Sequence, residues 1–315
     1  MYPTCRQSFI KWLKQNPKYE ICYLHLGKPK PFDVTLRDGL QNVNELSTIN
    51  KLTIYSQIRK LHEPIGMEIG SMSSPKLFPI FTDSSTLFNY VSYKDEIDEI
   101  DDNYQSNYIL FPNEKQLVKN IDQFTNLIHF SVITSVSDAF QLKNTKMSLD
   151  TTFKQLLNIK TFLNDKYGND NYKLKLYVSC IDECPINGKI ELNIIINTLN
   201  KLQKMIQPDI LCLSDTCGSL TSKTLEQIIN NIEPNININN ISLHLHVRPH
   251  NELEVEKLIH TALKHGITIF DTSFISTGGC SITIEEDKLA PNLSYELYYK
   301  SLCNYIVTNM DENNK

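Results

Sequence analysis

A cation and a carboxylate stand side by side at Arg37 and Asp38, directly after the mainly apolar run 32–36. Near the other end of the chain, His244 and His246 close a second apolar run. In a β-strand, residues i and i+2 point to the same side, so both imidazoles are expected to face one side of a sheet. An aspartate and two histidines from different strands predict a divalent metal site, beside which Arg37 can hold an anion.

Other polar residues lie at the ends of apolar runs and are predicted to gather at the same rim. Glu68 lies in the second run, Asp215 and Thr216 follow the sixth, and Cys280 follows a glycine pair after the eighth. Packing alone does not readily explain such a convergence. A parallel barrel, in contrast, collects its catalytic groups at the carboxyl ends of its strands. Cys280, in a glycine loop at this rim, is therefore a candidate reactive thiol.

Each of these residues also has a purely structural interpretation. Asp38 can cap a helix, and a strand histidine such as His244 can be a hydrogen-bonded core residue. Arg37 can form a surface ion pair, and Glu68 can simply orient Arg37 or an imidazole. Cys280 can be a small buried hydrophobe. The residues taken one by one leave these alternatives open.

The elements that must position these residues alternate between short apolar runs and longer amphipathic segments. Strands are predicted near residues 32–36, 66–69, 107–111, 127–132, 173–178, 209–213, 241–246 and 268–271. Helices are predicted near residues 45–62, 84–91, 114–121, 150–166, 190–206, 221–232, 251–265 and 293–307. This alternation indicates the α/β class and a (β/α)8 TIM barrel, with a doubly wound sheet as the alternative. Continuous apolar strands such as 210–213 are typical of parallel strands buried on both faces.

The composition is that of an ordinary globular protein. The chain has 315 residues, of which 41% are hydrophobic and 21% charged, and its net charge is −5. This length suits one large α/β domain, and the negative charge argues against a nucleic-acid partner. No apolar run approaches the ~18–20 residues needed to cross a bilayer, so no membrane partner is expected. The acidic segment 93–106 is interpreted as an exposed insertion between the second and third units.

The predicted organisation is a short N-terminal arm over 1–28, a barrel domain over 29–308 and a polar tail over 309–315, with no large C-terminal extension. The basic character of residues 1–24 faintly resembles a mitochondrial transit peptide, although an N-terminal helix or arm is favoured. A cytoplasmic location is therefore expected, with the mitochondrial matrix as the alternative. The eight cysteines suit free thiols in a reducing compartment.

Seven motifs, taken in order, resemble the 3-hydroxy-3-methylglutaryl-CoA lyase family among the metal-dependent TIM-barrel lyases and Claisen-type synthases. The similarity runs over residues 32–299. The motifs are RDGLQN at 37–42, Glu68 with SSPK at 73–76, YVSC at 177–180 with Cys184-Pro185, SDT at 214–216 with Gly218, HLH at 244–246, GGC at 278–280, and Asn292-Leu293 with Glu296. So many motifs in the correct order make a chance similarity implausible.

The resemblance implies a lyase that cleaves 3-hydroxy-3-methylglutaryl-CoA, an acyl-CoA substrate, to acetoacetate and acetyl-CoA. The residues implied to hold one divalent cation, Mg²⁺ or Mn²⁺, are Asp38, His244, His246 and Asn292. The implied catalytic groups are Arg37, His244 and Cys280. The residues implied to orient these groups or the substrate are Gln41, Glu68, Asp215, Thr216 and Glu296. A homodimer is left open as the oligomeric state.

Two departures from the family pattern keep other functions open. After His246 the chain reads VRPHN over 247–251, without the polar neighbour and the glycine that the family carries there. The stretch from Cys280 to Asn292 is also longer than in the family. A catalytically inactive barrel that serves as a binding protein is therefore one alternative. The other is a superfamily enzyme acting on a 2-oxo acid, either an aldolase or a Claisen-type synthase, which carries glutamate where this chain has Leu40.

Overall fold

The computed structural model describes residues 2–97, 106–234, 236–275, 277–279, 282–285 and 288–312. Most of the acidic segment expected to form an insertion, residues 98–105, lies outside the described residues, as does Cys280. Within the described part, no helix combines the length and the apolar character that crossing a membrane requires.

The strands follow the predicted order along the chain. They are β1 Lys30–Asp33, β2 Gly66–Ser71, β3 Ser106–Leu110, β4 His129–Ser135, β5 Lys173–Ser179, β6 Glu183–Cys184, β7 Gly188–Lys189, β8 Ile210–Asp215, β9 Ile241–Leu245 and β10 Ile269–Thr272. Eight of them close into a parallel barrel in the order β1-β10-β9-β8-β5-β4-β3-β2, while β6 and β7 form a separate antiparallel hairpin. The predicted (β/α)8 barrel is confirmed, and the doubly wound alternative is wrong because β1 pairs with β10 and so closes the sheet.

The helices surround the barrel. They are α1 Arg6–Lys14, α2 Pro17–His25, α3 Thr48–His62, α4 Ser84–Ile97, α5 Glu114–Asn120, α6 Asp138–Thr145, α7 Leu149–Tyr167, α8 Leu192–Ile206, α9 Ser222–Asn231, α10 Glu252–Lys264 and α11 Tyr295–Glu312. The segment predicted as an arm contains α1 and α2, and the ring of Phe9 packs 5.5 Å from that of Tyr299 on α11. Helix α11 continues past the boundary predicted at residue 308. Neither α6 nor the β6–β7 hairpin was predicted from the sequence.

Alternation along the strands separates the barrel interior from the shell of helices. On β5, Leu176 and Val178 belong to the large apolar cluster that includes helix residues. Tyr177 instead belongs to a small cluster with Leu110 and Cys212. Because successive strand residues point to opposite faces, residues 175, 177 and 179 all point into the barrel. The inward face of each strand therefore determines which side chains reach the barrel mouth.

Candidate metal centre

The first strand is followed by a single π-helical turn, Thr35–Gly39, which buries Arg37 and Asp38 side by side. The carbonyl of Val34 accepts hydrogen bonds from the backbone N–H groups of Asp38 and Gly39, at 2.8 and 3.1 Å. Neighbouring residues in a strand would point to opposite faces, whereas in this turn Arg37 and Asp38 line the same cavity. Turns of this kind occur frequently at functional sites.

Three residues predicted to bind a metal come together at the barrel mouth. The ligand atoms of Asp38, His244 and His246 all lie within 4.8 Å of one another, and all three residues are buried. The Nε2 atoms of both histidines lie 3.8 Å from Oδ2 of Asp38. His244 lies on β9, and His246, just beyond its end, forms an isolated bridge with Asn292. The barrel thus brings together residues that are far apart in the sequence.

Asn292 completes the group from the C-terminal side of the chain. Its Nδ2 atom donates to Oδ2 of Asp38 at 2.8 Å and to the carbonyl of Thr277 at 3.0 Å. Oδ1 of Asn292 and Nε2 of His246 are buried and have no hydrogen-bond partner within the described residues. Leaving buried polar atoms unsatisfied costs free energy, which a cation at this point would offset. A carboxylate, an amide oxygen and two imidazoles suit a divalent cation such as Mn²⁺ or Mg²⁺, so these residues fit the implied metal.

Each imidazole is oriented by an acceptor at its other nitrogen. Nδ1 of His244 lies 3.0 Å from Oδ2 of Asp271, and Nδ1 of His246 lies 2.9 Å from the backbone carbonyl of Asp215. A proton held at Nδ1 leaves Nε2 available as a ligand atom. The sequence analysis did not identify Asp271. Its only signal there is a carboxylate on the last strand of the barrel, β10, at a position that faces inward.

The guanidinium of Arg37 lies between two buried carboxylates. Its Nη1 atom donates to Oδ1 of Asp38 at 2.5 Å, and its Nε atom donates to Oε2 of Glu68. Its Cζ atom lies 4.9 Å from the centre of the Tyr177 ring, whose hydroxyl donates to the same Glu68 oxygen at 3.1 Å. Glu68 therefore contacts Arg37, as the predicted orienting role requires, and Tyr177, noted from the sequence only as part of the YVSC motif, is a further site residue.

Burial and ion pairing together set the charges of the pocket. Burial would lower the pKa of Arg37, but the charges of Glu68 and Asp38 outweigh it and hold that pKa well above its usual value. Burial would raise the pKa of Asp38, but Arg37 and the imidazoles hold it well below its usual value. Burial lowers the pKa of His244. Burial would also lower the pKa of His246, but contact with Asp38 outweighs it and raises that pKa.

Three other predicted site residues contact the loops around the cluster. Gln41 donates through Nε2 to the carbonyl of Gly279, which joins the first loop to the glycine loop. The carboxylate of Asp215 accepts two backbone N–H groups of its own loop, and burial raises its pKa to about 7. Oγ1 of Thr216 accepts the backbone N–H of Cys180 at 2.8 Å. Asp215 therefore supports His246 through its backbone rather than through its carboxylate.

Two predicted site residues remain, Glu296 and Cys280. Glu296 is exposed on the first turn of α11. Leu293 and Tyr295, which precede it, are buried, so this segment packs inward through those residues and Glu296 points to solvent. That Glu296 orients a ligand stays a prediction, and its exposed position does not support it. Cys280, predicted as a catalytic thiol, lies outside the described residues.

A cavity of about 360 Å³ opens over the cluster. Its inner part is lined by Arg37, Asp38 and the two histidines, and its walls include Ile133 and Phe140. Lys143 and Lys146 also line it and are exposed, so they stand on its solvent side. The cavity can therefore hold a small polar group at a cation while positive charges meet an anionic extension of the same molecule at the entrance.

Comparison with known proteins gives a consistent result. The HMGL-like family model matches residues 28–281. Hydroxymethylglutaryl-CoA lyase of Bacillus subtilis is 27% identical over 258 residues, which cover 80% of each chain. The mitochondrial hydroxymethylglutaryl-CoA lyase of Mus musculus is 25% identical over 254 residues, which cover 80% of this chain and 72% of that one.

Solved structures show the same fold. An HMG-CoA lyase from Acinetobacter baumannii, in complex with coenzyme A and 3-methylmalate, superposes with a TM-score of 0.73 at 20% identity and 89% coverage of both chains. The HMG-CoA lyase of Bacillus subtilis has a TM-score of 0.71 at 22% identity, covering 91% of this chain and 94% of that one. At these identities the similarity establishes the barrel architecture.

Proposed function

We propose that this chain, which belongs to the HMGL-like family, is a divalent-metal-dependent lyase that cleaves 3-hydroxy-3-methylglutaryl-CoA to acetoacetate and acetyl-CoA. The observation that carries the proposal is the pair of unpartnered buried ligand atoms, Oδ1 of Asn292 and Nε2 of His246, beside the carboxylate of Asp38. Arg37 lies directly next to this group. A cation site with a fixed positive charge beside it suits a substrate that develops negative charge during the reaction.

Four residues would hold the cation: Asp38, His244, His246 and Asn292. When bound, the cation supplies Lewis acidity, which acidifies the tertiary hydroxyl of the substrate and fixes the orientation of its carboxylate. Asp38 contributes its negative charge to this site because Arg37 keeps it ionised. The two imidazoles contribute neutral nitrogens, each oriented through its Nδ1 contact.

Cleavage breaks the bond between C2 and C3 of the acyl chain. The hydroxyl proton passes to a base, the oxygen becomes the ketone of acetoacetate, and the bonding electron pair moves to the thioester side as an enolate. Arg37 stabilises the negative oxygen of that enolate, because Glu68 and Asp38 hold its charge in place before the reaction begins. Cys280, in the predicted glycine loop, would return a proton to C2 and so complete acetyl-CoA.

The cavity entrance supports an acyl-CoA as the substrate class. Lys143 and Lys146 are exposed and line the cavity together with Asn144. Two ammonium groups at an entrance attract phosphates and can contact the phosphate groups of coenzyme A. The relative from Acinetobacter baumannii was solved with coenzyme A bound, which supports the same substrate class.

The test is a metal-dependent assay of the purified protein. Wild-type protein is incubated with 3-hydroxy-3-methylglutaryl-CoA and Mn²⁺ or Mg²⁺, and acetoacetate is measured with and without EDTA. Asp38→Asn keeps the shape of the side chain but removes its charge, so we expect it to lose both metal binding and turnover. Asp122→Asn is the matched control, because Asp122 is exposed in an ion pair with Lys166 on the surface.

Each outcome has a distinct meaning. Acetoacetate that forms only with metal, and that is lost in Asp38→Asn alone, supports the proposal. Metal bound at one site per chain without product would point to another acyl substrate. No metal binding and no product would overturn the proposal in favour of an inactive barrel.

A further inference from the structure

A lysine is completely buried inside the barrel, directly below the cavity. Lys175 lies on β5 two residues before Tyr177, which lines the cavity, and its side chain has no exposed surface. Its Nζ atom lies 2.6 Å from Oδ1 of Asp271. The same atom lies 3.4 Å from the centre of the Phe32 ring and 4.7 Å from that of Tyr177. The ammonium therefore sits between one carboxylate and two aromatic faces.

Stability alone does not account for this pair. Moving two charges out of water costs about as much free energy as their attraction returns, so well-packed apolar residues often serve equally well. TIM-barrel interiors are commonly filled by branched apolar side chains. A lysine between Leu174 and Leu176, inside such a barrel, therefore indicates a role beyond packing.

Asp271 connects this lysine to the group of candidate metal ligands. One oxygen, Oδ1, is bound by Lys175, and the other, Oδ2, lies 3.0 Å from Nδ1 of His244. With Oδ1 bound by Lys175, the carboxylate presents Oδ2 to the imidazole, and the thiol of Cys212 contacts the same oxygen more distantly, at 3.8 Å. The proton of His244 is then kept at Nδ1, and its Nε2 atom faces Asp38 at 3.8 Å.

The second imidazole is oriented in a different way. Nδ1 of His246 meets the backbone carbonyl of Asp215, at the end of β8, and a backbone carbonyl needs no counter-charge. A carboxylate inside the barrel does need one. We infer that Lys175 is a positioning residue of the metal centre, which acts through Asp271 to hold His244 in the orientation that presents Nε2 to the cation. The inference rests on the proposed function, since it assumes that the cluster binds a divalent cation.

The direct test measures metal affinity rather than activity. Metal-free wild type and Lys175→Met are titrated with Mn²⁺ by calorimetry, and their thermal unfolding is followed by circular dichroism. Loss of a residue that orients a metal ligand typically weakens metal binding about 10–100-fold, and we expect a loss in this range. In the assay with saturating Mn²⁺, kcat should fall while KM for the acyl-CoA stays unchanged, because Lys175 does not line the described cavity.

A matched control separates positioning from stability. Lys51 is also a buried lysine paired with an aspartate, Asp83, but on α3 and outside the barrel. Lys51→Met should lower the unfolding temperature and leave the Mn²⁺ affinity of the folded protein unchanged. If Lys175→Met behaves like Lys51→Met, with Mn²⁺ affinity within two-fold of wild type, the inference is overturned.

A second set of variants keeps the test decisive if Lys175→Met does not fold. Lys175→Met/Asp271→Asn removes both charges, so no unpaired charge is left inside the barrel. If Lys175 acts only through Asp271, the double variant should bind Mn²⁺ as weakly as Asp271→Asn alone. Wild-type affinity in the double variant would overturn the inference, as would absence of Mn²⁺ binding in wild type. Normal metal binding that weakens in these variants, without any acetoacetate from wild type, would support the inference and reject only the proposed substrate.

Discussion

Replacing Arg37 with methionine tests the chemistry proposed for the pocket most directly. The guanidinium donates to Asp38 at 2.5 Å and also to Glu68, so its charge is fixed before any substrate arrives. Removing one neutral donor to a developing oxyanion costs about 10²–10³ in kcat. A charged donor is roughly twice as strong, so we expect a loss of about 10⁴-fold, which corresponds to about 5.4 kcal/mol.

Arg37→Met should also change stability and metal binding in opposite directions. Without the guanidinium, Glu68 and Asp38 are buried carboxylates that lack their cation, and breaking such a pair costs about 3–5 kcal/mol. Mn²⁺ can replace part of the lost charge beside Asp38. We therefore expect the metal-free variant to unfold at a clearly lower temperature than wild type, and Mn²⁺ to raise that temperature more than it does in wild type.

The assay for this variant is steady-state turnover of 3-hydroxy-3-methylglutaryl-CoA at saturating Mn²⁺, with thermal unfolding followed by circular dichroism. Arg37→Lys keeps the charge but cannot span both carboxylates, so its turnover should lie between that of wild type and that of Arg37→Met. Arg59→Met is the control, because Arg59 contacts Asn107 and Tyr55 rather than the cluster. A kcat of Arg37→Met within ten-fold of wild type would refute the role of Arg37 in stabilising the enolate.

Three further outcomes are expected. His246→Ala should abolish detectable Mn²⁺ binding in calorimetry while the barrel still folds, and retention of wild-type affinity would remove His246 from the ligand set. Mn²⁺ affinity should fall about tenfold per pH unit below the pKa of His246, because a protonated imidazole cannot bind metal. Contact with Asp38 raises the pKa of His246 above its usual 6.5, although burial acts in the opposite direction. The Mn²⁺ affinity should therefore begin to fall above pH 6.5. An affinity that stays constant down to pH 6.5 would contradict this prediction. Lys143→Ala/Lys146→Ala should raise KM for the acyl-CoA several-fold with kcat unchanged, whereas an unchanged KM would place the phosphates elsewhere.

Much of the fold, and the grouping of Asp38, His244 and His246 as a candidate metal site, could be predicted because parallel strands make simple geometric demands. The i, i+2 spacing of His244 and His246, at and just beyond the end of β9, places both imidazoles on one side, and the turn after β1 carries Asp38 to the same rim. Closure of the sheet brings these ends together whatever the intervening sequence. Only the pairing of β1 with β10, which the structure shows, distinguishes this arrangement from an open sheet.

The other features of the site could not be predicted, because the sequence does not show which way these side chains point or which residues they contact. Lys175 and Asp271 interrupt apolar runs, and their partnership becomes visible only when β5 and β10 face each other across the barrel. Glu296 resembled a site residue by motif, but its helical position directs it outward. Arg37 and Asp38 share a pocket because the chain forms a π-helical turn, which no pattern of residue types predicts.

The hydrogen bond between Asn292 and Asp38 joins residues that are 254 positions apart, and this has a consequence for synthesis of the protein. At about 5–20 residues per second, Asp38 is synthesised roughly 13–50 s before Asn292. Through most of that interval β1 lacks β10, its neighbour at the closure of the barrel. A nascent chain should therefore expose an open sheet edge until β10 has been translated. Chaperone dependence should accordingly be greatest for chains stalled just before residue 269, where β10 begins.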